Sequence, residues 1–167
     1  MAAATDISDR LLTGLQSLIA SLNLQATSNA TTSIGAKVFA QLLPERLAIG
    51  NMPCVILTYM GETEEEPNDV ENFEEQGVTY PVSVLIVDQM RTQYQLARPD
   101  YLNWRHAIKT VLRNRPRFNP QPHMLDNVPE LANIRLRNKP VWVPKLADDQ
   151  LMVSAFAALC DTNETRT

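Results

Sequence analysis

Val78-Thr79-Tyr80-Pro81-Val82-Ser83-Val84-Leu85-Ile86 puts an apolar side chain at every even position. Successive side chains on a strand point to opposite faces, so Val78, Tyr80, Val82, Val84 and Ile86 share one side of an extended chain. Pro81 falls near the start of this predicted strand, where a missing backbone donor matters least. Upstream, Cys54-Val55-Ile56-Leu57-Thr58-Tyr59 is a short β-branched and aromatic run with the character of a buried strand. The two runs are expected to pair as an antiparallel hairpin.

Between them the chain changes character. Glu62, Glu64, Glu65, Glu66, Asp69, Glu71, Glu74 and Glu75 carry eight carboxylates with no Lys or Arg among them. Mutual repulsion and missing apolar residues make 62–76 a solvated loop or projecting arm, with only Val70 and Phe73 to anchor it.

Outward from this centre, Ile7, Leu11, Leu15, Leu18 and Leu22 mark one face of an opening helix, with Asp6 or Ser8 as its cap. Gly14 weakens that helix slightly. A polar connection over 23–33 precedes a moderate strand at 36–42. A second helix is predicted from about Pro99 to Asn114, with Tyr101, Trp104, Ile108, Val111 and Leu112 as its apolar face. Four prolines make 115–130 a stiff connection. Ile134-Arg135-Leu136-Arg137 and Val141-Trp142-Val143 look like strand pieces, and Asp148-Asp149 reads as a turn. The alanines of 151–159 permit helix, but Leu151, Val153, Ala155, Ala157 and Leu159 alternate, which favours strand. Residues 161–167 are expected to form a loose tail. The order predicts a single α+β domain over 1–167, a mostly antiparallel sheet with helices packed on one face.

Composition narrows the function classes. The 167 residues are 44% hydrophobic, enough for a core, and the net charge of −4 disfavours a uniformly basic nucleic-acid binder. The start Met1-Ala2-Ala3-Ala4-Thr5-Asp6 has no basic region followed by an apolar stretch, and no run approaches the ~20 apolar residues of a membrane span. Folding in the cytoplasm, with no membrane partner, is expected. Cys54 and Cys160 both sit in apolar runs and read as core thiols, with a disulfide still open.

Chemistry has few places to reside. His106 and His123 are the only histidines, and no Gly-x-Ser-x-Gly, His-Glu-x-x-His or Cys-x-x-Cys accompanies them. The acidic segment lacks the alternating ligands and central glycine of a calcium loop. The link from Val87 to Tyr101 contains no glycine to cradle a phosphate. No catalytic, cofactor-binding or metal-binding residue is therefore assigned, and a non-enzyme is expected. A small enzyme acting through His106 or His123 stands as the contrasting class.

Charge is distributed unevenly. Arg91, Arg98, Arg105, Lys109, Arg113, Arg115 and Arg117 are opposed only by Asp100, a local balance of +6 against −8 for 62–75. Arg135, Arg137, Lys139 and Lys145 add to the basic side. Arg105, Lys109 and Arg113, four apart, should form a basic ridge. An acidic protrusion and a basic helix face on one molecule suit head-to-tail self-association, which closes into rings when the rotation permits. A DNA-binding accessory role through the same ridge is the other alternative.

The layout also resembles a known group. Asp9-Arg10-Leu11-Leu12-Thr13-Gly14-Leu15, Cys54-Val55-Ile56-Leu57, Tyr80-Pro81-Val82-Ser83-Val84-Leu85-Ile86-Val87 and Tyr101-Leu102-Asn103-Trp104-Arg105-His106-Ala107-Ile108 follow one another. This order is similar to that of the tail-terminator and tail-completion proteins of tailed bacteriophages, over most of 6–160. The resemblance implies a virion protein of the tail–neck region, assembled in the host cytoplasm. It implies a ring, six copies by expectation, that caps the tail tube, contacts tube and neck proteins, and passes DNA through its bore without sequence specificity. A head–tail connector or adaptor is the nearest alternative. No functional residue is carried over from the resemblance. The interface candidates are Glu62, Glu64, Glu65, Glu66, Asp69, Glu71, Glu74 and Glu75 on one side, and Arg98, Arg105, Lys109 and Arg113 on the other.

Overall fold

The computed structural model describes residues 6–41, 52–61, 63–64, 75–89, 94–113, 125, 127–138 and 151–165. Among the described residues, two helices and six strands follow in the order α1 (Ile7–Ala20), β1 (Val38–Gln41), β2 (Cys54–Tyr59), β3 (Thr63–Glu64), β4 (Glu75–Gln89), α2 (Tyr94–Arg113), β5 (Leu131–Asn138) and β6 (Leu151–Thr165). They form an α+β fold around one mixed, mostly antiparallel sheet. Its order is β1-β2-β4-β6-β5, and β3 also pairs with β4. Among the described strands, only the β1–β2 pair is parallel.

The expected hairpin partnership exists, with Cys54 opposite Val87 and Tyr59 opposite Val82. β4 is longer than its alternating stretch, however, and Pro81 lies in its interior rather than near its start. The Pro81 carbonyl accepts from Met60 N at 2.9 Å, so the donor it lacks would have pointed to the same side, toward β2 and β3. The ladder slips there. Between Tyr59↔Val82 and Thr63↔Thr79, three residues oppose two, which is a bulge. Gly61, at φ +103°, supplies the backbone conformation that the bulge needs.

Parity along the strands separates two apolar clusters. The larger joins Val55 and Leu57, the even residues Val78 to Ile86 of β4, and Met152, Phe156, Ala158 and Cys160 of β6. Leu11, Leu12, Leu15 and Ile19 of α1 and Ala97, Tyr101, Trp104, Ile108 and Leu112 of α2 belong to that same cluster. The smaller cluster joins Met52, Cys54, Ile56, Val87 and Val153, which have the opposite parity. Cys54 and Cys160 are thus buried free thiols in different clusters, with no disulfide between them.

Three boundaries differ from expectation. α2 begins at Tyr94, and Pro99 lies inside it rather than at its first turn. Pro99 is on the exposed side, so the one helical bond it removes faces water instead of the core. β6 continues to Thr165, replacing the expected loose tail, because Glu75 to Thr79 pair with Thr165 to Asp161. Glu64 and Glu75 are strand ends rather than loop residues, and 62 and 65–74 lie outside the described residues. So do the expected strand piece and turn within 139–150, and most of the proline-rich connection.

α1 is fastened at both ends. Asp6 caps it, accepting from Ser8 N and Ser8 Oγ. Arg10 grips Glu130 through two bonds of 2.8 and 3.0 Å, and Asn127 Nδ2 donates to the Arg10 carbonyl at 2.7 Å. Gln16 Nε2 donates to the Val38 carbonyl at 2.7 Å. Gly14 permits this closeness, since a Cβ there would lie 2.7 Å from Asn127 Oδ1 and 3.1 Å from Leu125. Gly14→Ala should therefore destabilise the protein by about 1–3 kcal/mol despite alanine's better helix propensity. Denaturant unfolding of the variant measures this, and unchanged or increased stability contradicts the packing argument.

Candidate assembly interface

The acidic run leaves the sheet at one end of a long ribbon, and the basic helix starts at the other end and runs back along it. β4 and β6 pair along their whole length, from Glu75↔Thr165 to Gln89↔Leu151. The acidic run 62–75 is anchored where β3 ends at Glu64, opposite Val78, and where β4 begins at Glu75. The basic helix α2 follows the other end of β4. At a rise of ~3.3 Å per residue, the thirteen steps from Glu75 to Asp88 cover roughly 40 Å.

α2 is anchored at that far end by two buried carboxylates. Asp88 accepts from Tyr101 Oη at 2.7 Å and Thr31 Oγ1 at 2.8 Å. Asp100 accepts from Thr27 N and Oγ1 and from Ser28 N and Oγ, at 2.5–3.1 Å. Trp104 Nε1 donates to the Gln25 carbonyl at 2.8 Å. The polar segment 23–33 is therefore polar for a reason that lies outside it, because its hydroxyls and amides serve two carboxylates taken out of water. Neither network is visible in the chain's periodicity.

The expected basic ridge is broken at its first member. Arg105 is only 7% exposed and donates to Ser154 Oγ at 2.9 Å and the Ala155 carbonyl at 2.7 Å. Its guanidinium lies 5.3 Å from the centroid of Phe156, and burial lowers its pKa. Its position on α2 borders the buried arc, and the neighbouring β6 offers acceptors that water would otherwise supply. Lys109 is half-buried, shares the Phe156 ring and hydrogen-bonds Asn138 Oδ1. Arg98 and Arg113 are exposed. On the edge strand β5, which Lys109 also reaches, Arg135 is bonded to Asp161 at 2.7 Å, while Arg137 is exposed.

Exposed Leu102 went unnoticed in the periodicity of α2. A helix turns ~100° per residue, which places Arg98, Leu102, Lys109 and Arg113 within about 60° of one flank. Leu102 is 42% exposed; Leu96, 60% exposed, lies off this flank, about 120° away around the helix. A leucine among cations at helical spacing was the available signal. Of the acidic candidates, Glu64 and Glu75 are placed only by their strands, and the rest lie outside the described residues.

His106 is exposed on α2, and His123 lies outside the described residues. Among the described residues, no three His, Cys, Asp or Glu side chains are grouped to hold a metal ion. Burial raises the Cys54 thiol to about 11 and the Cys160 thiol to about 12, so both stay protonated at neutral pH. No described helix is long and apolar enough to cross a membrane. The chain matches no protein-family model and no curated protein.

Three carboxylates have lowered pKa values. Burial pushes Asp100 up, but its four hydrogen bonds more than offset this. Glu130 is lowered chiefly by Arg10, and Asp161 chiefly by Arg135. Each folded value lies below the unfolded one, so the stabilisation is complete above the ordinary carboxylate range of ~4 and drains away as pH falls through the folded values. Asp100→Asn should cost roughly 2–4 kcal/mol at pH 7 and flatten the acid limb of stability. Denaturant unfolding between pH 7 and 2 tests this, and an acid limb as steep as the wild type's contradicts it. Arg105→Lys should also destabilise, by about 1–3 kcal/mol, since an ammonium cannot reproduce the two-acceptor fork. A variant as stable as the wild type would show that the fork contributes little.

Proposed function

We propose that this protein is a structural component of a phage tail–neck junction, assembling into a ring that caps the tail tube and joins it to the neck. The observation that carries the proposal is that the acidic run is anchored at one end of the β4–β6 ribbon while the exposed Arg98 and Leu102 of α2 lie at the other. A subunit with different poles at its two ends favours contact between unlike surfaces, the geometry from which rings are built. Opposed potentials also steer subunits into register. The helix–strand–strand–helix–strand order, which resembles tail-terminator and tail-completion proteins, agrees with this role. On this reading the work is steric, since a ring seated on the last tube subunits covers the surface that the next would use, and the ring's outer face meets the neck. Virion location and contact with tube and neck proteins belong to the same proposal.

The test adds purified protein to polymerising tail-tube subunits of the cognate phage. Expected are arrested growth and tubes bearing a ring at one end in electron micrographs. Tubes of unchanged length with bare ends would overturn the capping role. Binding to neck proteins but never to tubes would instead support a connector.

A further inference from the structure

We infer that the exposed flank of α2, with Arg98, Leu102 and Arg113, is the docking surface for the acidic segment 62–75 of a second copy. The inference deepens the ring proposal by naming its subunit contact. Charge selects the occupant. Arg98 and Arg113 are exposed with no carboxylate beside them on α2, since Asp100, its one acidic residue from Arg98 to Arg113, is turned to the buried arc and engaged by Thr27 and Ser28. The occupant brings eight carboxylates and no cation. It also brings Val70 and Phe73, apolar counterparts for Leu102, which is 42% exposed in the middle of the flank.

Geometry makes the contact at Arg98 and Leu102 intermolecular. α2 runs back alongside the sheet, with Tyr101 at Asp88, Arg105 at Ser154 and Ala155, and Lys109 at Asn138. Ser154 lies opposite Ile86, and Asn138 lies opposite Phe156, itself opposite Val84. Arg98, one turn before Tyr101, is thus at or beyond the level of Asp88. The acidic segment is anchored where Glu64 pairs with Val78, ten strand steps or roughly 33 Å away. Held at both ends, its ten intervening residues reach at most about 20 Å, half their contour. A molecule cannot place its own acidic segment on its own Arg98 and Leu102, whereas a neighbour can.

Paired charge reversal tests this. One variant carries Arg98→Glu and Arg113→Glu, and the other carries Glu62→Lys, Glu65→Lys, Glu66→Lys, Asp69→Lys, Glu71→Lys and Glu74→Lys, which turns the segment net positive. Both arginines are exposed, so circular dichroism should be that of the wild type. In sedimentation the wild type should assemble, increasingly as salt is lowered. Each variant alone should stay monomeric, and their equimolar mixture should recover assembly, because every contact then joins opposite signs again. Leu102→Ser should weaken assembly about tenfold while leaving the monomer folded. A wild type that is monomeric at every concentration, variants that assemble alone, or a mixture that stays monomeric would each overturn the contact. Mixtures that assemble but leave tubes uncapped would instead sink the capping role and spare the contact. Tubes capped by either variant alone would do the reverse.

Discussion

The antiparallel ladder between β4 and β6 is the interaction on which the other elements depend. Fifteen residues of each strand pair without interruption, and every remaining strand is joined to one of these two or to a strand that is. Such a ladder fixes side-chain parity over its whole length, because a slip of one residue would exchange the two faces. From that parity follow the large cluster shared with both helices and the smaller one of opposite sense. Length matters as much as pairing. A ribbon of this reach holds the anchor of the acidic segment far from Arg98 and Leu102 at the start of α2 within one molecule.

The irregularities around the ladder have local causes. Pro81 lacks the donor that would face β2 and β3, and the bulge with Gly61 absorbs the mismatch. Because the shift is confined to the outer side, the β4–β6 register is untouched. Gly14 does similar work on α1, giving up helix propensity so that Asn127 and Leu125 can approach.

Burial of charge explains why α2 presents only part of its basic content. Asp88 and Asp100 are withdrawn from water and fully engaged by hydroxyls, amides and a tyrosine, which ties segment 23–33 to β4 and α2. Arg105 is withdrawn too, and a carbonyl, a serine hydroxyl and an aromatic face compensate it. What remains outside is a narrower flank than the run of cations in the chain suggests, with a leucine at its centre.

Periodicity was enough to read the α+β class, the β2–β4 pairing and the apolar faces of both helices, because these are set by neighbours two to four residues away. The even positions of 78–86 and the spacing of Leu11, Leu15, Tyr101, Trp104 and Ile108 act at that range. The alternation of 151–159 also sufficed to choose strand over helix. It could not reveal that the strand runs on to Thr165, since Asp161, Asn163 and Glu164 carry no apolar signal and are held by pairing with 75–79. Nor could it show that Arg105 turns inward or that Asp100 is buried. Their partners lie 49 to 73 residues away in the chain, so their environment exists only once the sheet and the 23–33 segment have closed around them.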